Sequence, residues 1–150
     1  MERKIAVVGG DLRSVKLVEM LEKDGHNVGV YGLENADILN QYASITKYNT
    51  IDEAIENNDI IIGPIPFSSN QKEINMLFSN EKLDVDTFFD KLTANKILIA
   101  GNIREDYVKI AENKNAKVID ILKREELAVL NAISTAEGTI NIAIKETTST

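Results

Sequence analysis

At 150 residues the chain has the length of one globular domain with enough material for a real core, since domains run to roughly 100–200 residues. Apolar residues make up 43% and charged residues 27%, with only 8 Gly and 2 Pro, which excludes a disordered low-complexity chain and a fibrous one. The net charge of -7 comes from 24 acidic against 17 dispersed basic side chains, so there is no electrostatic footprint for nucleic acid.

Residues 5–8 are a short continuous apolar run, as in a strand buried on both faces, and Gly9 and Gly10 end it. Leu12, Val15, Val18 and Leu21 then fall on one helical face, with Asp11 placed to cap that helix and Gly25 to end it. His26 is expected in an exposed turn before a second strand at residues 28–31. A weaker strand around Ile45 precedes Thr50 and Glu53, a capping box opening a short helix that ends near Asn57. Residues 60–62 are the third strong strand, 97–100 the fourth and 118–121 a shorter one near the sheet edge. Residues 73–78 are expected to be a helix within the long stretch 63–86, and 107–111 are helical in spacing. Met20, Met76 and the phenylalanines read as core or loop packing. A second capping box, Ser134 with Glu137, opens a last helix carrying Ala136, Ile140, Ala143 and Ile144 on one face; Gly138 in its first turn points to close packing against another helix or to the approach of a ligand or second domain.

Strands alternating with helices give an α/β fold: a doubly wound open parallel sheet of Rossmann or flavodoxin type, five to six strands with helices on both faces, as a single domain over 1–150. No stretch approaches the ~20 apolar residues of a membrane helix, and the first apolar run is too short for a signal peptide. A soluble, cytoplasmic protein is the expectation.

In such sheets ligands bind at the carboxyl ends of the strands. Three loops there carry the candidates: Gly9, Gly10, Asp11 and Arg13 after the first strand; Pro64, Ser68 and Ser69 after the strand at 60–62; Gly101, Asn102 and Arg104 after the strand at 97–100. The first loop invites a dinucleotide reading, but the GxGxxG spacing fails in either register and Asp11 would repel a pyrophosphate. Arg13 and Arg104 each follow a glycine-bearing turn, where a planar guanidinium suits a carboxylate; Arg124 is a third arginine beyond a strand. With His26 the only histidine, no cysteine and no Gly-x-Ser-x-Gly elbow, neither a serine nucleophile at Ser68 or Ser69 nor a His- or Cys-based metal site is supported.

The segments IAVVGGDLR (5–13), FSNE (78–81) and KREELAVLNAISTAEGTINIAIKET (123–147) resemble the N-terminal domain of the dipicolinate synthase A-subunit. The resemblance implies a protein of spore-forming bacteria that takes part, in the mother cell, in NAD(P)-linked formation of pyridine-2,6-dicarboxylate, with the separate dipicolinate synthase B-subunit as partner. It also implies a second domain that binds NAD(P), absent from this chain, so that no cofactor and no turnover are expected of the chain alone. The ligand would be a dicarboxylate small molecule, one carboxylate held by Arg13 or Arg104, with Ser68, Ser69 and Asn102 lining the pocket. Asn131, Thr135, Glu137 and Gly138 would lie near the hinge to the second domain, and the last helix could pair with a copy of itself.

Two other readings stay open. One is a self-contained nucleotide-binding module, with a phosphate on the Gly9-Gly10 turn and a ribose hydroxyl on Glu34. The other is a non-catalytic interaction domain such as a phosphoacceptor receiver, against which Asp11 stands without an acidic neighbour and Gly101 without the expected lysine.

Overall fold

The computed structural model describes residues 3–123. Arg124, Asn131, Thr135, Glu137, Gly138 and the expected last helix lie outside the described residues. In chain order the elements are β1 (Lys4–Val8), α1 (Leu12–Lys23), β2 (Asn27–Tyr31), a 3-10 turn (Asp37–Gln41), β3 (Thr46–Lys47), α2 (Ile51–Glu56), β4 (Ile60–Ile62), α3 (Val85–Lys91), β5 (Ile97–Ala100), α4 (Glu105–Asn113) and β6 (Lys117–Asp120).

The strands form one sheet in the order β3-β2-β1-β4-β5-β6, with every neighbouring pair parallel. Side chains of the central strands alternate between two cores. Ile5, Val7, Val28, Val30, Ile60 and Ile62 meet Val15, Leu17, Val18 and Leu21 of α1 on one face. Ala6, Val8, Ile61, Leu98 and Ala100 meet α2, α3 and α4 on the other. The helices therefore lie on both faces, as the doubly wound pattern requires. On the second face Phe67, Phe88 and Phe89 pack edge to face at centroid distances of 5.3–5.9 Å, and Phe89 stacks on Tyr107 at 4.9 Å. Each such ring contributes roughly 1.5–3 kcal/mol by burial. Since Phe67 lies early in the long excursion after β4, this cluster anchors that excursion close to where it leaves the sheet.

Local signals explain the helix ends. The Asp11 carboxylate accepts the Arg13 N–H at 2.9 Å and opens α1, which Gly25 ends at φ +86°. Thr50 caps α2 by accepting the Glu53 N–H at 3.2 Å. His26 sits, half-buried, before β2, and the third strand falls just after Ile45.

Two expectations are corrected. Residues 73–78 form no helix: Ile74 is buried against α3, Phe78 packs on the opposite core and Leu77 is 74% exposed. Their backbone groups bond to distant segments, so an apolar spacing that mimics a helix is used by an extended loop. The helix of this region is α3 instead, where Val85, Phe88 and Phe89 supply the helical stripe. Met20 lies on the exposed side of α1 and not in the core.

Candidate functional site

The chain reverses its direction of travel across the sheet between β1 and β4, and in open α/β sheets the crevice at that switch point is the ligand position. Two turns meet there. After β1, Gly9 and Gly10 hold φ values of +60° and +101°, open to glycine and strained for other residues. A Cβ on Gly10 would fall 1.9 Å from Ser14 Oγ. After β4, Gly63 and Pro64 lead into residues 65–84, which return over the carboxyl ends of β1 and β2 as a strap.

The strap is pinned at its base and along its length. Ile74 donates its N–H to the Leu83 carbonyl at 2.9 Å and Val85 to the Lys72 carbonyl at 2.8 Å. The Asn70 side-chain oxygen accepts from the Lys72 and Glu73 N–H groups at 2.9 and 2.8 Å. Over β1, the Gly10 N–H donates to the Asn75 carbonyl at 2.7 Å and the Leu77 N–H to the Gly10 carbonyl at 3.0 Å. Met76 lies so close over the glycines that a Cβ on Gly9 or Gly32 would meet its side chain at 2.6 or 2.7 Å. Over β2, Glu34 accepts from the Ser79 hydroxyl at 2.6 Å and the Asn80 N–H at 3.0 Å. Burial alone would raise the Glu34 pKa, but these hydrogen bonds outweigh it and hold the carboxyl below its ordinary range.

Between strap, β1 turn and β4 turn runs a cleft of about 530 Å³. One wall is Gly10, Asp11 and Arg13, a second Pro64, Ile65 and Pro66, and a third strap residues that include Asn75, Leu77, Glu81 and Lys82. Arg13 is held by its neighbours: Nε and Nη2 donate to the two Asp11 carboxylate oxygens at 3.2 and 3.1 Å, and Nη2 also donates to the Ile65 carbonyl at 2.6 Å. Its Nη1 hydrogens have no acceptor among the described residues. Burial pushes the Asp11 pKa up, but the hydrogen bonds and charge of Arg13 bring it below the ordinary aspartate value. Across the cleft Lys82 stands loosely beside Glu73 at 3.9 Å. Tyr31 donates its hydroxyl to Glu81 at 3.3 Å, and burial followed by the Glu81 charge raises its pKa, keeping it a donor.

Of the residues singled out in the sequence, Gly10, Asp11, Arg13, Pro64 and Ser69 line this cleft. Gly9 lies beneath Met76, and Ser68 is buried, donating to Asn70 Oδ1 at 3.2 Å. Gly101, Asn102 and Arg104 are not among the lining residues. The Asn102 and Ile103 N–H groups donate to the buried Asp120 carboxylate at 3.0 and 2.8 Å, and Arg104 pairs with Asp106 at 2.9 Å while lying over the Tyr107 ring. Arg13 and Arg104 therefore do not share the cleft, and Lys82, which no spacing in the sequence marks out, is the second cation there. Asn75, Met76, Ser79 and Asn80 were likewise hidden, because the groups that hold them over β1 and β2 lie far away in the chain. Among the described residues no group of three or more His, Cys, Asp or Glu side chains could hold a metal ion, and no helix is long and apolar enough to cross a membrane.

Residues 4–122 match the family described as the N-terminal domain of the dipicolinate synthase A-subunit. The chain belongs to that family. The dipicolinate synthase A-subunit of Bacillus subtilis (strain 168) is 27% identical over 145 residues, spanning 96% of this chain and 48% of that protein. The crystal structure of the Bacillus subtilis A-subunit superposes with a TM-score of 0.72 at 28% identity, covering 97% of this chain and 48% of the other. That of the A-subunit from Bacillus halodurans gives 0.71 at 22%, covering 95% and 48%. The chain thus spans about half the length of the relatives it matches. Its fold is shared with an imine reductase from Myxococcus stipitatus solved with NAD+, at 17% identity and a TM-score of 0.55 over 80% of this chain and 39% of the reductase.

Proposed function

We propose that this chain is the substrate-binding half of a dipicolinate synthase A-subunit and that its cleft holds a pyridine dicarboxylate precursor. The observation that carries this reading is the Arg13 guanidinium, locked by Asp11 and the Ile65 carbonyl at the rim of the cleft with its Nη1 hydrogens unused among the described residues. Because Asp11 takes the Nε/Nη2 edge, a ligand carboxylate is met by Nη1. Lys82, from the strap wall, offers a second cation for a second carboxylate. The chain's own share of the work is to bind and orient: Arg13 fixes one end of the ligand, while Pro64, Ile65 and Leu77 displace water from its ring.

In the whole enzyme, NAD(P) held by a further domain would supply the hydride acceptor for oxidation of a dihydrodipicolinate-type intermediate, a proton being released to solvent as the ring becomes aromatic. The hinge to that domain is assigned to Asn131, Thr135, Glu137 and Gly138. The setting is the mother-cell cytoplasm of a sporulating bacterium, with the dipicolinate synthase B-subunit and a second copy of this chain as partners. Gly9 and Gly101 back the cleft wall through Met76 and Ile65, and in this reading neither they nor Ser68, Asn102 and Arg104 contact the ligand.

The test is a thermal-shift titration with pyridine-2,6-dicarboxylate, since a ligand that binds only the folded state raises the melting temperature by mass action. The expected result is a concentration-dependent rise that Arg13→Ala removes. No rise at saturating ligand, or an equal rise in the variant, would overturn the reading.

A further inference from the structure

In this topology a dinucleotide places its pyrophosphate on the first glycine turn and a ribose hydroxyl on an acidic residue after the second strand. Both places are taken here by the chain itself. We propose that residues 75–80 of the strap stand in for a dinucleotide, so that this half is closed to NAD(P) and its sheet edge is given over to substrate.

The donor and acceptor pattern carries the inference. A phosphate oxygen on the turn would accept from a backbone N–H; the Asn75 carbonyl accepts from Gly10 at 2.7 Å. A ribose hydroxyl would donate to the carboxylate after β2; the Ser79 hydroxyl donates to Glu34 at 2.6 Å, and the Asn80 N–H adds a second bond at 3.0 Å. Between these points Met76 fills the space over Gly9 and Gly32 that glycine leaves open. A dinucleotide would have to break all of these contacts and would then set its pyrophosphate beside the Asp11 carboxylate.

The strap is built in and does not act as a gate. The Asn35 N–H donates to the Phe78 carbonyl at 2.8 Å, the Phe78 ring packs on the core, and Asn75 Nδ2 donates to the Pro66 carbonyl at 2.8 Å. Its other side is a wall of the cleft. One segment thus excludes the nucleotide and shapes the place beside it, which leaves the nicotinamide to be supplied from outside this domain.

The experiment is an NMR titration of the nitrogen-15-labelled chain with NAD+ to millimolar concentration, together with amide hydrogen exchange. The amides of Gly9, Gly10, Glu34 and Asn80 are expected not to shift, and those of Gly10 and Asn80 to exchange slowly. The double substitution Met76→Ala with Ser79→Ala, which loosens the strap without shortening it, is expected to speed exchange at both amides by about tenfold or more. Shifts at Gly9, Gly10 and Glu34 with NAD+ in the unaltered chain would overturn the proposal, as would exchange left unchanged by the double substitution. Pyridine-2,6-dicarboxylate added to the same sample reads the substrate proposal separately: its failure to bind leaves the strap result standing, and the converse holds too.

Discussion

The turns after β1 and β5 look alike in sequence, each a glycine followed within three positions by an arginine, yet they do different work. At the first, the chain reverses its course across the sheet, a strap comes over the top, and Arg13 is held at the rim of a cleft. At the second, the neighbouring strand continues in the same direction, the Asp120 carboxylate ties the turn down, and Arg104 lies back on Tyr107. Topology and not local motif decides which arginine stands at the cleft. Two similar signals at the ends of parallel strands diverge because only one flanks a switch point.

The comparison breaks most visibly at glycine. Gly9→Ala and Gly25→Ala both force a side chain into positive φ, but a Cβ on Gly9 meets Met76 and the Asn75 carbonyl at 2.6 and 2.7 Å whereas one on Gly25 meets nothing within 4 Å. Urea denaturation is expected to show a loss of about 3 kcal/mol for the first and about 1 kcal/mol for the second. Equal losses would mean that the strap does not press on the β1 turn.

At the other turn, Asp120→Ala removes the acceptor for the Asn102, Ile103 and Leu122 N–H groups. A loss of about 2 kcal/mol is expected in the same assay, with no change in dicarboxylate affinity beyond what reduced stability explains. A selective loss of affinity would bring the β5 turn into the site.

The arginines themselves separate by calorimetry. Arg13→Ala should weaken pyridine-2,6-dicarboxylate binding more than about tenfold, or about 1.4 kcal/mol, while Arg104→Ala leaves it unchanged. The reverse order would exchange the roles assigned to the two turns.

The smallest effect is in pH. Glu34 has its folded-state pKa depressed, so the stabilisation it brings is complete above the ordinary glutamate value of roughly 4.3 and is lost as pH falls through the lower folded value. Ser79→Ala removes a bond to the carboxylate and should move its titration upward, toward the ordinary value, as followed by carboxyl carbon chemical shift. No movement would show that the strap does not hold Glu34.

Much of the frame is legible in the sequence because it rests on local rules. The runs at 5–8, 60–62 and 97–100 are apolar on both faces and can only be central parallel strands, and Asp11 and Thr50 carry their capping chemistry in neighbouring positions. The site is half legible for the same reason. Arg13 follows from its place after β1, but the strap draws its partners from Gly10, Glu34 and Asn35, far away in the chain, and its Ile74, Leu77 and Phe78 imitate a helical stripe while pointing to three different environments. Lys82 reaches the cleft only through that loop path. The true helix of this region was within reach, since Val85, Phe88 and Phe89 follow Asp84 in regular helical spacing.

The most direct test is a crystal structure of the chain grown with pyridine-2,6-dicarboxylate. The expected result is the ligand lying between the β4 turn and the strap with one carboxylate on Arg13 Nη1 and the strap unmoved over Gly9 and Gly10. A ligand seated at Asn102 and Arg104, or a cleft without ligand at saturating concentration, would contradict it.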